Sequence, residues 1–142
     1  MKTILALRGK ANTGKSTTIR ILHDLLMQYD FELINSNLAN TEGDFIAVFK
    51  KNGKLIGLTS SGDLYDFVHD NLVELIDDGC EICICACRTY DRVPPGTNAA
   101  VEEFTDFQHQ FVDKTYDDNV LSQVNTNRND AQNLLTLIES LV

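Results

Sequence analysis

The chain has 142 residues, with 12 basic and 21 acidic side chains and a net charge of −9; 43% of its residues are hydrophobic and 23% charged. This length predicts one domain over 1–142, and this composition excludes disordered, collagen-like and coiled-coil chains. The acidic balance argues against a nucleic-acid partner, and the apolar stretches are too short for a signal peptide or a membrane span. We expect a cytoplasmic protein with no membrane partner.

Strands and helices alternate along the predicted secondary structure. Apolar runs predict strands, and a 3.6-residue apolar period predicts helices. The expected strands are 3–8, 31–35, 44–49, 55–59, 81–88 and 110–115. The expected helices are 15–29, 64–79, one capped by Thr97 or Asn98 that carries Val101, Phe104 and Phe107, and one from about Asp130 to the end. The pattern predicts a three-layer α/β fold whose sheet is mostly parallel, with an antiparallel hairpin inserted at Asn52-Gly53.

The four cysteines, Cys80, Cys83, Cys85 and Cys87, fall within eight positions of one apolar run. The last three alternate and therefore share one face of an extended strand. A structural zinc site would bring two ligand pairs from separated segments, and the chain has no second pair. We expect buried, reduced thiols at the centre of the sheet.

A glycine-rich motif follows the first strand and opens the first helix. It reads Gly9-Lys10-Ala11-Asn12-Thr13-Gly14-Lys15-Ser16, which matches the pattern G-x-x-x-x-G-K-S. The glycines allow the backbone to turn its N–H groups around a phosphate, which the helix N-terminus also attracts. Lys15 would contact the β- and γ-phosphates, Ser16 would bind Mg²⁺, and Thr17 would contact the α-phosphate. The alternative is a strand-to-helix turn that binds nothing.

Over residues 3–29 the chain resembles the P-loop NTPase superfamily, whose members begin with this strand, loop and helix. The segments LIGLTSSGD and EICICACRT are also similar to small bacterial P-loop ATP-binding proteins. The resemblance implies a P-loop NTPase-like fold with ATP and Mg²⁺ as cofactors. It implies no substrate.

The superfamily places an acid at the end of a neighbouring strand, where it holds Mg²⁺ through water, and this chain departs from that pattern. Asp63, which follows the strand 55–59, is the nearest substitute, either as a Mg²⁺ ligand or to orient an acceptor hydroxyl. The alternative is that Asp63 caps the next helix. Asp44 begins its own strand, so we expect it at the opposite edge of the sheet.

Arginines near the ends of the predicted elements are candidates for stabilising a transferred phosphoryl group. Arg88 ends the cysteine strand, at the edge where ligands bind a parallel sheet. It would stabilise that charge or hold an anionic acceptor, unless it merely pairs with an acid such as Asp91. Arg92, on the next loop, and Arg128, in a polar turn, are weaker candidates.

The segment after the last strand packs on the nucleotide base in many P-loop proteins, which makes Lys114 and Thr115 candidates for that contact. The alternative is a solvated loop. The guanine-reading pattern Asn-Lys-x-Asp is missing from the sequence, so we expect ATP rather than GTP.

Two functions remain open from the sequence. The first is a small kinase-like phosphotransferase or an ATP hydrolase, with Lys15, Asp63 and Arg88 as catalytic residues and Ser16 and Asp63 at the metal. The second is a nucleotide-dependent switch or protein-binding module with little or no turnover, which changes shape around 60–63. The expected partners are a nucleoside triphosphate and either a small-molecule acceptor or a protein.

Overall fold

The computed structural model describes residues 2–38, 43–91 and 94–142, which form six strands and four helices. The strands are β1 (Thr3–Arg8), β2 (Glu32–Ser36), β3 (Ile46–Lys51), β4 (Lys54–Thr59), β5 (Ile82–Cys87) and β6 (Gln108–Asp113). The helices are α1 (Lys15–Gln28), α2 (Tyr65–Asp77), α3 (Thr97–Glu102) and α4 (Val120–Leu141). None of the helices in these ranges has the length and apolar character needed to cross a membrane.

The strands form a single mixed sheet in the order β2-β3-β4-β5-β1-β6. β1 pairs in parallel with both β5 and β6, and β4 pairs in parallel with β5. β3 runs antiparallel to both of its neighbours. The prediction of an α/β fold with a mostly parallel sheet and an inserted hairpin is confirmed.

The hairpin between β3 and β4 turns at Asn52 and Gly53, whose φ angles are 52° and 79°. Two successive positive φ angles are typical of the tight turn that suits the right-handed twist of paired strands. Asn and Gly tolerate these angles best, which is why this dipeptide correctly predicted a hairpin. At the far end of the hairpin, Ile46 pairs with Thr59.

Helices cover both faces of the sheet, so the molecule has three layers, with the sheet in the middle. On one face α1 and α4 pack on apolar side chains that include Ile82, Ile84 and Ala86 of β5. On the other face α2 and α3 pack on a cluster that includes Cys83, Cys85 and Cys87. Successive side chains of a strand point to opposite faces, so β5 has to be apolar throughout.

All four cysteines are free and buried, as predicted. Burial raises the pKa of the Cys80 thiol to about 12 and that of Cys87 to about 11, because a thiolate is poorly solvated inside the sheet. Thiols in this state are small apolar core groups with low reactivity.

The third helix differs from its prediction. α3 ends at Glu102, so Phe104 and Phe107 lie beyond it. The N-cap position is Gly96, which has no side chain, so neither Thr97 nor Asn98 caps the helix. Instead the carboxylate of Asp91 accepts the backbone N–H groups of Asn98 and Ala99.

The last helix begins ten residues earlier than predicted. Asn119 caps α4, since its side chain accepts the backbone N–H groups of Leu121 and Ser122. Arg128 therefore lies within α4, where it is exposed, rather than in a turn. Apart from Val120, Leu121 and Val124, which are exposed, the first turns of the helix are polar, and the apolar period does not continue through 125–130 to the buried stripe.

Candidate functional site

The glycine-rich loop joins the end of β1 to the start of α1. Asn12 and Gly14 have φ angles of 62° and 94°, so the loop turns sharply before the helix. The first backbone bond of the helix runs from the Thr18 N–H to the Gly14 carbonyl. The N–H groups of the first turn, before Thr18, have no partner within the helix and form its positive end.

Lys15 folds back into this loop. Its Nζ donates to the carbonyl oxygens of Gly9 at 2.7 Å and Cys87 at 3.0 Å, and the residue is only 6% exposed. Burial lowers the pKa of Lys15, and the nearby Asp63 carboxylate partly opposes that shift. A desolvated ammonium held by neutral carbonyls gains strongly from an anion placed beside it.

The carboxylate of Asp44, which we expected at the opposite edge of the sheet, lies next to Ser16. Ser16 Oγ donates to Asp44 Oδ1 at 3.3 Å, and Ser60 Oγ donates to the same oxygen at 3.1 Å. The prediction that Asp44 lies at the opposite edge of the sheet is wrong. β3 runs antiparallel to β4, so the residues before Ile46 lie beside the end of β4 at Thr59.

Asp63 lies on the other side of the loop, between Lys15 and Arg88. Its Oδ1 is 3.8 Å from Lys15 Nζ and 3.7 Å from Arg88 Nη2. Arg88 Nε also donates to the Asp63 carbonyl at 3.2 Å. The structure thus brings together the three side chains proposed for catalysis, with Asp63 itself 62% exposed.

One of the two structural alternatives for these residues is wrong, and the other holds in part, because Arg88 is paired with an acid. α2 begins at Tyr65, its N-cap is Leu64, and no side chain caps it, so Asp63 is not its cap. Arg88 pairs with Asp63 rather than with Asp91.

A cavity of about 450 Å³ opens over the loop. It is lined by Asn12, Gly14, Lys15, Ser16, Thr17, Asp63, Gln123 and Asn127. Gln123 and Asn127 come from α4: Gln123 Nε2 donates to the Thr13 carbonyl at 2.6 Å and to Asn127 Oδ1 at 2.9 Å. Neither amide was predicted from the sequence, because the predicted helix starts after both of them.

Lys114 is buried rather than solvated. Its side chain is fully buried and its Nζ lies 3.0 Å from Asp130 Oδ2. Thr115 donates to the same carboxylate through its backbone N–H and its hydroxyl. The side chain of Lys114 is therefore not part of a solvated loop; it is half of an ion pair that ties the end of β6 to α4. Arg92 lies outside the described residues.

A polar network, which was not predicted from the sequence, holds the backbone of Arg88 in place. Asn98 Nδ2 donates to the Arg88 carbonyl and to Asp91 Oδ1, both at 2.9 Å. Arg8, at the end of β1, donates to Asn98 Oδ1, and its guanidinium lies 3.8 Å from the centroid of the Phe111 ring. Burial opposes ionisation of Asp91, but the hydrogen bonds from Asn98 and Ala99 prevail and lower its pKa. The strand-end rule that selected Arg88 applies equally to Arg8.

The oxygen atoms around Ser16 are of the kinds that bind a hard divalent cation. The Ser16 hydroxyl, the Asp44 carboxylate and the Ser60 carbonyl converge there, with Ser16 Oγ 3.4 Å from the Ser60 oxygen. Mg²⁺ is commonly bound by one or two carboxylates together with substrate phosphates and water. Within residues 2–38, 43–91 and 94–142, no three His, Cys, Asp or Glu side chains are grouped closely enough to hold a metal alone.

Comparisons of the chain with family models, with curated proteins and with solved structures gave no match.

Proposed function

We propose that the protein has a P-loop NTPase-like fold, binds ATP and Mg²⁺ at residues 9–17, and transfers the γ-phosphoryl group to a small acceptor. One observation carries the proposal. The buried Lys15 ammonium lies at the N-terminus of α1, with Ser16 and Asp44 on one side and Asp63 on the other. Lys15, Ser16 and Asp63 line the cavity at this helix N-terminus and Asp44 is bonded to Ser16, so cationic and cation-binding groups lie together, as a phosphate chain with its metal requires.

Each side chain has a role in this proposal. Lys15 exchanges its two carbonyl partners for phosphate oxygens, and Ser16 and Asp44 hold the metal, which would neutralise charge on the β- and γ-phosphates. Asp63 receives the proton of the acceptor hydroxyl, since it is exposed and adjacent to Lys15. Arg88 stabilises charge on the transferred group. Asp44 takes the metal role first expected of Asp63.

A second function, a nucleotide-dependent switch, is favoured by the contacts of α1. Three of its side chains hold the two ends of the β2–β3 connection: Ser16 bonds to Asp44, Arg20 Nη2 donates to the Gly43 carbonyl, and His23 shares a 2.9 Å hydrogen bond with Ser36. A ligand at Ser16 that competes for Asp44 would alter this connection directly. Steady ADP release supports the enzyme, whereas tight nucleotide retention without turnover supports the switch.

The site is tested by thermal melting of the protein with ATP, in the presence and absence of Mg²⁺. Ligand at a hundred times its Kd adds about 2.7 kcal/mol to the free energy of unfolding, which corresponds to a rise in Tm of roughly 5 to 10 °C for this size. We expect Lys15→Met to abolish the rise and Asp44→Asn to abolish only its Mg²⁺-dependent part. Lys50→Met, which removes an exposed lysine on β3, serves as the charge-matched control.

The control should give the wild-type rise. An equal rise in wild type and Lys15→Met would contradict nucleotide binding at this loop. A Mg²⁺-dependent rise that survives Asp44→Asn but disappears in Asp63→Asn would show that Asp63, rather than Asp44, binds the metal.

A further inference from the structure

Two side-chain amides of α4 form a chain of hydrogen bonds that ends at the cavity over the glycine-rich loop. The chain starts at the backbone N–H of Asp117, which donates to Gln123 Oε1 at 2.9 Å. Gln123 Nε2 then donates to the Thr13 carbonyl and to Asn127 Oδ1. Gln123 and Asn127 both line the cavity. The last member of the chain, Asn127, therefore lies at the wall of the proposed phosphate site.

The orientation of both amides follows from the backbone groups that they contact. A backbone N–H can only donate and a carbonyl can only accept, so Gln123 has to turn its oxygen to Asp117 and its nitrogen to Thr13. That nitrogen needs an acceptor in Asn127, which brings Asn127 Oδ1 to Gln123 and leaves Nδ2 at the free end. The group that the chain presents to the cavity is thus a hydrogen-bond donor.

This donor has no partner in the part of the chain that the structure describes. Asn127 is only 6% exposed, and its one hydrogen bond is the one that Oδ1 accepts. Nδ2 is not among the described buried atoms that are both unpaired and closed to solvent, Thr18 Oγ1 and His23 Nδ1, so it opens to the cavity. A buried amide without an acceptor is destabilising, and a ligand oxygen in the cavity would supply one.

The other groups around Asn127 favour an acceptor with several oxygens. Gly14 brings the loop close to the amide, since a Cβ on Gly14 would lie 3.0 Å from Asn127 Cγ. The charged side chains in the described lining, Lys15 and Asp63, lie 3.8 Å apart and offset each other. Selection therefore comes from the donors, which are the Asn127 NH₂ group, the Lys15 ammonium and the N–H groups of the first turn of α1. An ionised phosphate chain offers oxygen acceptors to all of them.

We infer that Asn127 is a phosphate-binding residue, whose side-chain NH₂ group donates to an oxygen of the bound triphosphate; the inference rests on the proposed function. Gln123 is a positioning residue, because the protein already uses both of its amide atoms. The last helix thus supplies a ligand contact to a site otherwise built from the loop and the ends of strands.

The test separates the two ends of the Asn127 side chain. Asn127→Asp keeps an oxygen for Gln123 Nε2 but replaces the donor with a carboxylate oxygen that repels phosphate. Asn133→Asp makes the same change at an exposed position of the same helix and is the control. Binding of inorganic triphosphate and of ATP, each with Mg²⁺, is measured calorimetrically. We expect Asn127→Asp to weaken both ligands at least about tenfold, because a hydrogen bond to a charged group is lost, and the control to bind as the wild type does.

A second measurement uses the wild-type protein alone and does not depend on the folding of a variant. We expect the side-chain NH₂ protons of Asn127 to shift downfield in NMR spectra when inorganic triphosphate is added, because they gain a charged acceptor. The corresponding protons of Asn133 should keep their positions.

The outcomes distinguish this inference from the proposed function. If neither inorganic triphosphate nor ATP binds the wild type, the proposed function is contradicted, and the role of Asn127 with it. If both bind, and Asn127→Asp binds them as tightly as the control or the Asn127 protons do not move, only the role of Asn127 is overturned. A loss confined to ATP would also overturn it, because the contact would then be to the nucleoside rather than to the phosphate chain.

Discussion

At the scale of single residues, Gly14 shows how the loop and the last helix constrain each other. Its φ of 94° is strained for any residue with a Cβ. A Cβ placed there would also lie 2.4 Å from Asn127 Oδ1 and 2.8 Å from Gln123 Nε2. The glycine of the motif is thus required twice, by its own dihedral angle and by two amides more than a hundred positions away.

Gly14→Ala should therefore cost more than a dihedral penalty. Gly53→Ala is the matched control, because Gly53 has a φ of 79° and a Cβ there would have no atom within 4 Å. We expect the control to lose about 1–2 kcal/mol of unfolding free energy in urea titrations. Gly14→Ala should lose about 1 kcal/mol more, because the amides must move away and the hydrogen bond from Gln123 to the Thr13 carbonyl is then lost, together with nucleotide affinity. Equal losses in the two variants would mean that α4 does not press on the loop.

The same residues show what could be predicted from sequence. The motif 9–16 and the Asn-Gly turn were readable because each demands particular residue types from the local backbone. The place of Asp44 was readable too but was missed, since it depends on the direction of β3 relative to β4, a property of the pairing rather than of the residue. The hairpin prediction contained this information, because an antiparallel strand starts where its partner ends.

At the scale of elements, α4 contributes more to the site than its sequence indicated. Its last turns carry the apolar stripe Ala131, Leu134, Leu135 and Ile138, which identified the helix. Its first turns carry the amides that reach the loop, and these look like a polar turn in the sequence. Helical periodicity detects the face buried in the core, and a face that packs on a polar loop carries no such signal.

The ion pair between Lys114 and Asp130 joins α4 to the end of β6, and we expect it to be costly to break. Removing one partner leaves an uncompensated buried charge, for which losses of about 3–5 kcal/mol are typical. Asp130→Asn should therefore lower the free energy of unfolding by that order. Lys114→Met combined with Asp130→Asn should recover part of the loss, because no charge is then left without a partner.

Asp113→Asn, at an exposed neighbouring position, is the control and should change the unfolding free energy by less than about 0.5 kcal/mol. The double-mutant cycle tests whether the unpaired ammonium of Lys114 causes the loss of stability. If the double variant is no more stable than Asp130→Asn, the buried ammonium is not the source of the cost.

At the scale of the whole molecule, helices on both faces shield the central strand β5 from solvent. β5 is buried along its full length between the α1–α4 layer and the α2–α3 layer. Its carboxyl end nevertheless reaches the site, where the Cys87 carbonyl accepts a hydrogen bond from Lys15. The strand therefore links the stability of the core to the geometry of the glycine-rich loop.

Because β5 is buried, we expect the free energy of unfolding to depend on pH in the alkaline range, and one thiol, that of Cys83, can be used to measure this. Burial raises the pKa of Cys83 above its ordinary value of 9.0, and the unfolded chain keeps that ordinary value. Above pH 9 the unfolded chain therefore loses a proton that the folded chain retains. The thiol's contribution is complete below pH 9 and is lost as the pH rises towards the folded-state pKa.

We expect the free energy of unfolding of the wild type, measured in urea with a reductant, to fall more steeply between pH 9 and pH 10.5 than that of Cys83→Ala. The difference in slope should approach about 1.4 kcal/mol per pH unit, the value for one proton. The constant loss from removing a buried sulfur shifts the whole curve of the variant and leaves its slope unchanged. Lys15, whose lowered pKa acts in the opposite direction, contributes equally to both proteins and cancels. Parallel curves would show that the thiol ionises as readily in the folded chain as in the unfolded one, which is incompatible with a strand covered on both faces.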